Sequence, residues 1–416
     1  MRQPLPLAAS TTNRSEPTAF TASYRHLFGL PGFPRLAAAT VLGRTGGQLW
    51  QIALILFVLQ RFHSPALAGF TAFAAIVPGL AVSPIAGVLL DRHRRLRLIQ
   101  LDYALAATTL VLIAVLSLAH QLGVDLLLAI VALSSLTSPL SSSGTRALFP
   151  LVVPRDLWDR ANAVDSASMA LAMVAGPALA GFFVAWFGGE GAFLIAAGVF
   201  VLAGIVVLGL REPTAVATSP ERLARAAWQA LVYVLRHRTL RGIVITLWAT
   251  NVPYGILSVA LPVLVLRNLH GGAGTVGALW SVAGIATVIA GIFVGRINSE
   301  GRERPMILVG LGIGALGYLL TLVGSPLALL AAMALLGFAA GPVDLGLFAL
   351  RQRRTDPRWF GRIVAVSMSL NFAGVPVGSA LAGPILERSI PLALLLAVVI
   401  AVAGCAAPLL VIPRAG

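Results

Sequence analysis

Gly87–Arg97 reads GVLLDRHRRLR, and a shortened copy, GIFVGR, stands at Gly291–Arg296, 204 residues further along a chain of 416. Each copy is a polar turn that ends one long apolar run and precedes another. Runs of about 20 apolar residues, the length a helix needs to cross a bilayer, recur along nearly the whole sequence. Composition agrees. The chain is 58% hydrophobic and 11% charged, where a soluble domain carries about 25% charged residues. Backbone groups in lipid must be paired within their own segment, so these runs read as helices.

Twelve spans are predicted, at 36–60, 66–90, 98–119, 125–147, 163–187, 192–210, 242–266, 272–294, 306–323, 326–349, 363–386 and 390–411. The fold class is an all-α membrane protein with twelve transmembrane helices in two six-helix bundles. Residues 1–35 are expected to be a disordered cytoplasmic tail, 36–210 the first bundle, 242–411 the second and 412–416 a short tail. The linker, 211–241, carries an amphipathic pattern: Leu223, Ala227, Leu231 and Leu235 repeat at helical spacing opposite Arg222, Arg225 and Arg236. That pattern suits a helix lying on the membrane surface or against the bundle.

All thirty basic residues are Arg, and they fall mainly in alternate loops. By the positive-inside rule both termini are cytoplasmic, and the basic excess needs no nucleic-acid partner. The single Cys405 excludes an intramolecular disulfide and a thiolate metal cluster. No GxxxxGK[ST] phosphate loop exists, and without Lys none can. No cofactor or metal is expected, and the chain does not read as an enzyme.

The halves are related. Thr71–Arg92 aligns with Thr275–Arg296 without a gap, GPALAG at Gly176–Gly181 matches GSALAG at Gly378–Gly383, and Pro154-Arg155 matches Pro357-Arg358. Six-span repeats are the layout of transporters whose halves rock about a midplane site.

GVLLDRHRR resembles the loop between spans two and three of the major facilitator superfamily, which reads Gly-x-Leu-x-Asp-Arg-x-Gly-Arg. Gly87, Leu89, Asp91, Arg92 and Arg95 match, and Arg94 replaces the second Gly. The second copy has Gly295 in place of the Asp. The resemblance implies a latch made of Gly87, Asp91, Arg92 and Arg95. Gly87 would let two spans approach closely, and Asp91 would accept bonds from Arg side chains or helix N-terminal amides. GPALAG resembles a relaxed form of the signature of proton-antiporting exporters, with Gly176, Pro177 and Gly181 as its marked positions. RALFPLVVPRDLWDRANAV from Arg146 and LRQRRTDPRWFGRIVAV from Leu350 resemble the branch of macrolide-efflux and enterobactin-exporter type proteins. An Arg that many relatives carry in span four is missing, and Ser and Thr crowd that span instead.

Ionisable residues inside spans are candidate functional sites by default. Arg44 lies in span one and Asp344 in span ten. The resemblance places spans one, four, seven and ten around the central cavity. Asp344 is then the candidate proton-binding carboxylate, and Arg44 its counter-charge or a partner for an anionic substrate group. Gln48, Trp248, Asn251 and Tyr254, with Trp50 and Phe348, are candidate pocket residues. Asp102 is expected to pair with loop Arg residues, and Asp165 to act as a helix N-terminal acid. The leading expectation is a monomeric exporter of a lipophilic small molecule (drug, antibiotic or siderophore) driven by proton exchange in a bacterial cytoplasmic membrane. The alternatives are a lipid flippase or importer of the same fold, or a non-transporting sensor or scaffold.

Overall fold

The computed structural model describes residues 24–210, 228–229, 231–297, 299–355, 363, 366–367 and 370–411, without the side chains of Asp91 and Val411. Among these residues the chain is helical throughout its long segments, and ten segments are long and apolar enough to cross a membrane. A short α1 (Tyr24–Gly29) leads into α2 (Phe33–Phe62). The tail expected at 1–35 is therefore helical from Tyr24 onward. Leu27 and Phe33 are fully buried there, and Gly32 adopts the positive φ that turns the chain between the helices.

The second apolar run is two helices, α3 (Pro65–Ala74) and α4 (Val77–Arg92), joined at Ala75–Ile76. Pro78 follows this joint; having no N–H, it fits the first turn of a helix and disfavours an interior position. After α5 (Arg95–Leu118) the fourth run is also broken, into α6 (Val124–Ser135) and α7 (Ser138–Val152), with Pro139 just past the joint. The segment α8 (Trp158–Leu208) reverses at Gly188, whose φ of 71° and ψ of 178° are non-helical, so it holds two antiparallel helices. The remaining helices are α9 (Arg238–Arg267), α10 (Ala273–Val294), α11 (Glu303–Thr321), α12 (Pro326–Arg354), α13 (Gly374–Arg388) and α14 (Ile390–Val411). Most of the predicted amphipathic linker lies outside the described residues.

Side-chain caps fix two helix starts on one face. Ser64 Oγ accepts from Leu67 N–H at 3.1 Å, and Ser325 Oγ from Ala328 N–H at 3.2 Å. The opposite face carries the α4–α5 turn and most of the Arg side chains, and is called the arginine face below. Small residues set the spacing of the helices. The first half of α8 packs on α2 where Gly176 leaves no room for a Cβ against Gln48, and in the second half Phe193 meets Phe57 of α2 edge-on at 5.0 Å. Large apolar side chains such as Leu133, Trp186, Ile205 and Leu327 point outward, as a lipid-facing belt requires.

Helix contacts fall into two sets, α2–α8 and α9–α14, joined mainly by α3 against α13 and α8 against α10. Both seams are made by glycine. A Cβ at Gly181 would lie 2.6 Å from Ala273 O, and one at Gly383 would lie 2.8 Å from Ala66 Cα. Polar contacts reinforce the seams on the face opposite the arginines: Ser64 Oγ donates to Glu387 Oε1 at 2.8 Å and Arg267 Nη2 to His63 O at 3.0 Å. On the arginine face α4 and α7 pack principally on helices of their own set.

Candidate functional site

A cavity of about 120 Å3 lies between the two sets. Gln48 and Ile52 of α2, Met173 and Pro177 of α8, and Tyr254 and Leu257 of α9 line one part of it. Trp280, Thr287, Tyr318, Met333 and Ala340 of α10–α12 line the rest. Tyr254 packs edge-on to Trp280 at 5.4 Å, and the Trp280 indole Nε1 has no hydrogen-bond partner. Thr287 Oγ1 is occupied, donating to backbone oxygens of Ala283 and Gly337. The result is an aromatic and thioether wall with a few neutral polar groups, the composition of a small-molecule pocket.

Helix periodicity extends this wall toward the arginine face. Met333, Gly337, Ala340, Asp344 and Phe348 are spaced by three or four residues and so share one stripe of α12. Asp344 is solvent-accessible and lies on this stripe one turn beyond Ala340, outside the lining of the cavity itself. Its electrostatic partner is Arg351, two helical turns away on α12 and only 1% exposed. Arg44, Gln48 and Ile52 form the matching stripe on α2.

Arg44 does not face Asp344. Its guanidinium reaches α8, where Nη2 donates to Asp165 Oδ1 at 2.6 Å and Nη1 to Asp165 O at 2.6 Å and Ser168 Oγ at 2.5 Å. Arg146 approaches the other carboxylate oxygen at 3.8 Å. Asp165 is thus the counter-ion of Arg44. Two opposite charges inside spans one and five were the signal for this pair, but helix phase alone does not tell which charges face each other.

Asp102 also departs from expectation. It is 5% exposed, and its electrostatic surroundings are the Thr137 and Ser141 groups of the fourth span rather than a loop Arg. Neither α6 nor α7 contributes to the lining above, contrary to the cavity role inherited for span four.

Of the other candidates, Gln48 and Tyr254 line the cavity. Trp248 Nε1 donates to Leu370 O and Asn251 Nδ2 to Asn371 O, both at 2.8 Å, so these two fasten α9 to the chain leading into α13. Gly176 and Gly181 are packing positions, against α2 and α10, while Pro177 borders the cavity. In the proposed latch, Arg92 is exposed in the last turn of α4 and Arg95 half-buried in the first turn of α5. Among the described residues nothing lies within 4 Å of where a Cβ at Gly87 would stand, while Gly79 and Gly144 make tight contacts nearby. The Asp91 side chain lies outside the described residues. Trp280, Tyr318, Met173 and Met333 were not anticipated, because their helices have apolar runs with no mark of the cavity side.

Comparison with known proteins agrees with this architecture. The Major Facilitator Superfamily model matches residues 36–298 and 243–416. The chain belongs to that superfamily of transporters. It is 37% identical over 405 residues to the uncharacterized MFS-type transporter y4rN of Sinorhizobium fredii, covering 94% of this chain and 98% of the relative. It is 27% identical over 367 residues to the multidrug efflux pump Tap of Mycolicibacterium fortuitum, covering 85% and 88%. Among solved structures, the nucleoside transporter NupG superposes with a TM-score of 0.75 at 13% identity, covering 91% of this chain and 99% of that one. A bacterial homolog of the lysosomal transporter Spinster, inward-facing and unoccupied, gives 0.69 at 13%, covering 90% and 96%. These likenesses establish a multi-pass membrane transporter fold.

Proposed function

We propose that this transporter is a proton-driven exporter of a lipophilic small molecule, working by alternating access between two six-helix bundles. The observation that carries the reading is the aromatic, Met-rich cavity between the helix sets, with Asp344 on the stripe leading from it to the arginine face. On the positive-inside rule that face is cytoplasmic, so the conformation is inward-facing, with the outer side closed by the Gly181 and Gly383 seams. Residues 36–210 and 242–411 are the two moving units, and the protein works as a monomer in a bacterial cytoplasmic membrane. Similarity to multidrug efflux pumps supports the export direction.

In this scheme substrate enters from the cytoplasm or inner leaflet and packs against Tyr254, Trp280 and Tyr318. Asp344 carries the exchanged proton, and Arg351 stabilises its charged form between loads. The described lining has no basic side chain, which favours a lipophilic molecule over a phosphate-bearing lipid headgroup. The test is dye accumulation in everted membrane vesicles, with a panel of cationic dyes and macrolides. Accumulation that needs the gradient and stops when it is collapsed supports the reading; accumulation that survives collapse contradicts it.

A further inference from the structure

The turn between α2 and α3 consists of His63 and Ser64, and the second helix set holds both. Arg267, the last residue of α9, donates from Nη2 to His63 O at 3.0 Å. Glu387, in the last turn of α13, accepts from the Ser64 hydroxyl on Oε1 at 2.8 Å. The same carboxylate oxygen lies 3.4 Å from Ala66 N–H, one of the first-turn amides that a helix leaves without an internal partner. Ser64 Oγ meanwhile accepts from Leu67 N–H. A carboxylate of one set therefore caps a helix of the other, at the end where the helix dipole favours negative charge.

Backbone packing decides what this cap can do. Just inside it, Gly69 leaves no room for a Cβ against Ser379 O, and Gly383 none against Ala66. Here α3 and α13 touch main chain to main chain, so the cap exists only while the seam is shut. A few ångströms of separation would break every one of these contacts. Glu387 is exposed, so water competes for it, and the cap biases a balance rather than locking one state.

Among the described residues the related seam, α8 against α10, has no such cap. Gly272 holds in α10 the N-cap position that Ser64 holds in α3. Glu387 stands four residues beyond the seam glycine Gly383; four beyond Gly181, α8 has Ala185. A polar contact across that seam, Ser281 Oγ to Val174 O at 3.0 Å, joins neutral groups. Glu190, another carboxylate of this face, accepts from Ser117 Oγ at 2.6 Å inside its own set.

We propose that Glu387 is a positioning residue for transport: by capping α3 across the boundary between the sets, with Arg267 holding His63, it biases the protein toward the state closed on this face. The proposal rests on the alternating-access reading. Cargo, direction and proton coupling do not enter it, and it is read out without substrate or gradient, so its failure is distinct from failure of the exporter assignment. Spin labels at Gln121→Cys and Val323→Cys report the face of the cap, and labels at Asp159→Cys and Arg354→Cys the arginine face, in a Cys405→Ala background. All four labelled positions are exposed and lie outside the cap. Glu387→Ala should raise the long-distance share of the 121–323 distribution several-fold, and the short-distance share of the 159–354 distribution with it. Glu387→Gln, which keeps an acceptor without the charge, should shift both less. Arg267→Ala should move both pairs in the same sense as Glu387→Ala. Glu190→Ala should move neither. Unchanged distributions in Glu387→Ala overturn the proposal. So does lengthening at 121–323 without shortening at 159–354, which is loosening of the seam, or an equal shift in Glu190→Ala. If Glu387→Ala does not fold, Glu387→Gln carries the test, and no shift in that variant overturns the proposal.

Discussion

Arg44 and Asp344, the two charges expected in facing spans, belong to two separate systems. Arg44 with Asp165 ties α2 to the first half of α8 inside one bundle. Leaving one member of a largely enclosed pair alone costs about 3 kcal/mol. Arg44→Ala and Asp165→Ala should each lower thermal stability in detergent, and the double variant should lose less than their sum; strict additivity would deny the pair. Asp344 has a different expected phenotype. Asp344→Asn should abolish gradient-driven accumulation while leaving substrate binding within about threefold, a difference under ~1 kcal/mol; full driven transport in this variant would remove Asp344 from the proton role. Trp280→Phe keeps an edge-on ring contact with Tyr254 and removes the unpaired N–H. It should weaken binding of substrates that offer an acceptor and spare those that do not, as measured by competition across the dye panel.

At the scale of helices, backbone proximity does the work in the seams. Gly181 against Ala273 and Gly277 lets α8 and α10 touch main chain to main chain. Gly181→Val forces them apart, so a cysteine at Gln48 should become reactive to a membrane-impermeant thiol reagent from the outer side. Continued protection would show that the seam tolerates the side chain and is not the outer gate. Sequence periodicity gave most helix bounds to within a few residues, because hydrophobic length is set by the bilayer and reads directly from composition. The breaks at Ala75–Ile76 and Leu136–Thr137 were not legible, since a proline in an apolar run marks a kink, a break or an ordinary turn of helix alike. The GPALAG and GSALAG match was visible; that both copies serve as seams between bundles follows only from what they touch.

For the molecule as a whole, family and multi-pass membrane character rest on features that survive in one dimension: apolar length and a repeated hairpin. The cavity does not, because its wall is assembled from single stripes of six helices. Gln48 and Tyr254 were found through polarity, whereas Trp280, Tyr318, Met173 and Met333 look like core residues until α10–α12 are brought beside α2 and α8. On the proposed reading, substrate and proton occupy the cavity between the two sets in turn and cross in opposite directions. The most direct test uses purified protein in liposomes enclosing a pH-sensitive dye, with no imposed proton gradient. A downhill flux of a transported cationic dye should drive a proton flux the other way, and Asp344→Asn should abolish that proton flux. Dye flux with no accompanying pH change, in the unsubstituted protein, would contradict the account.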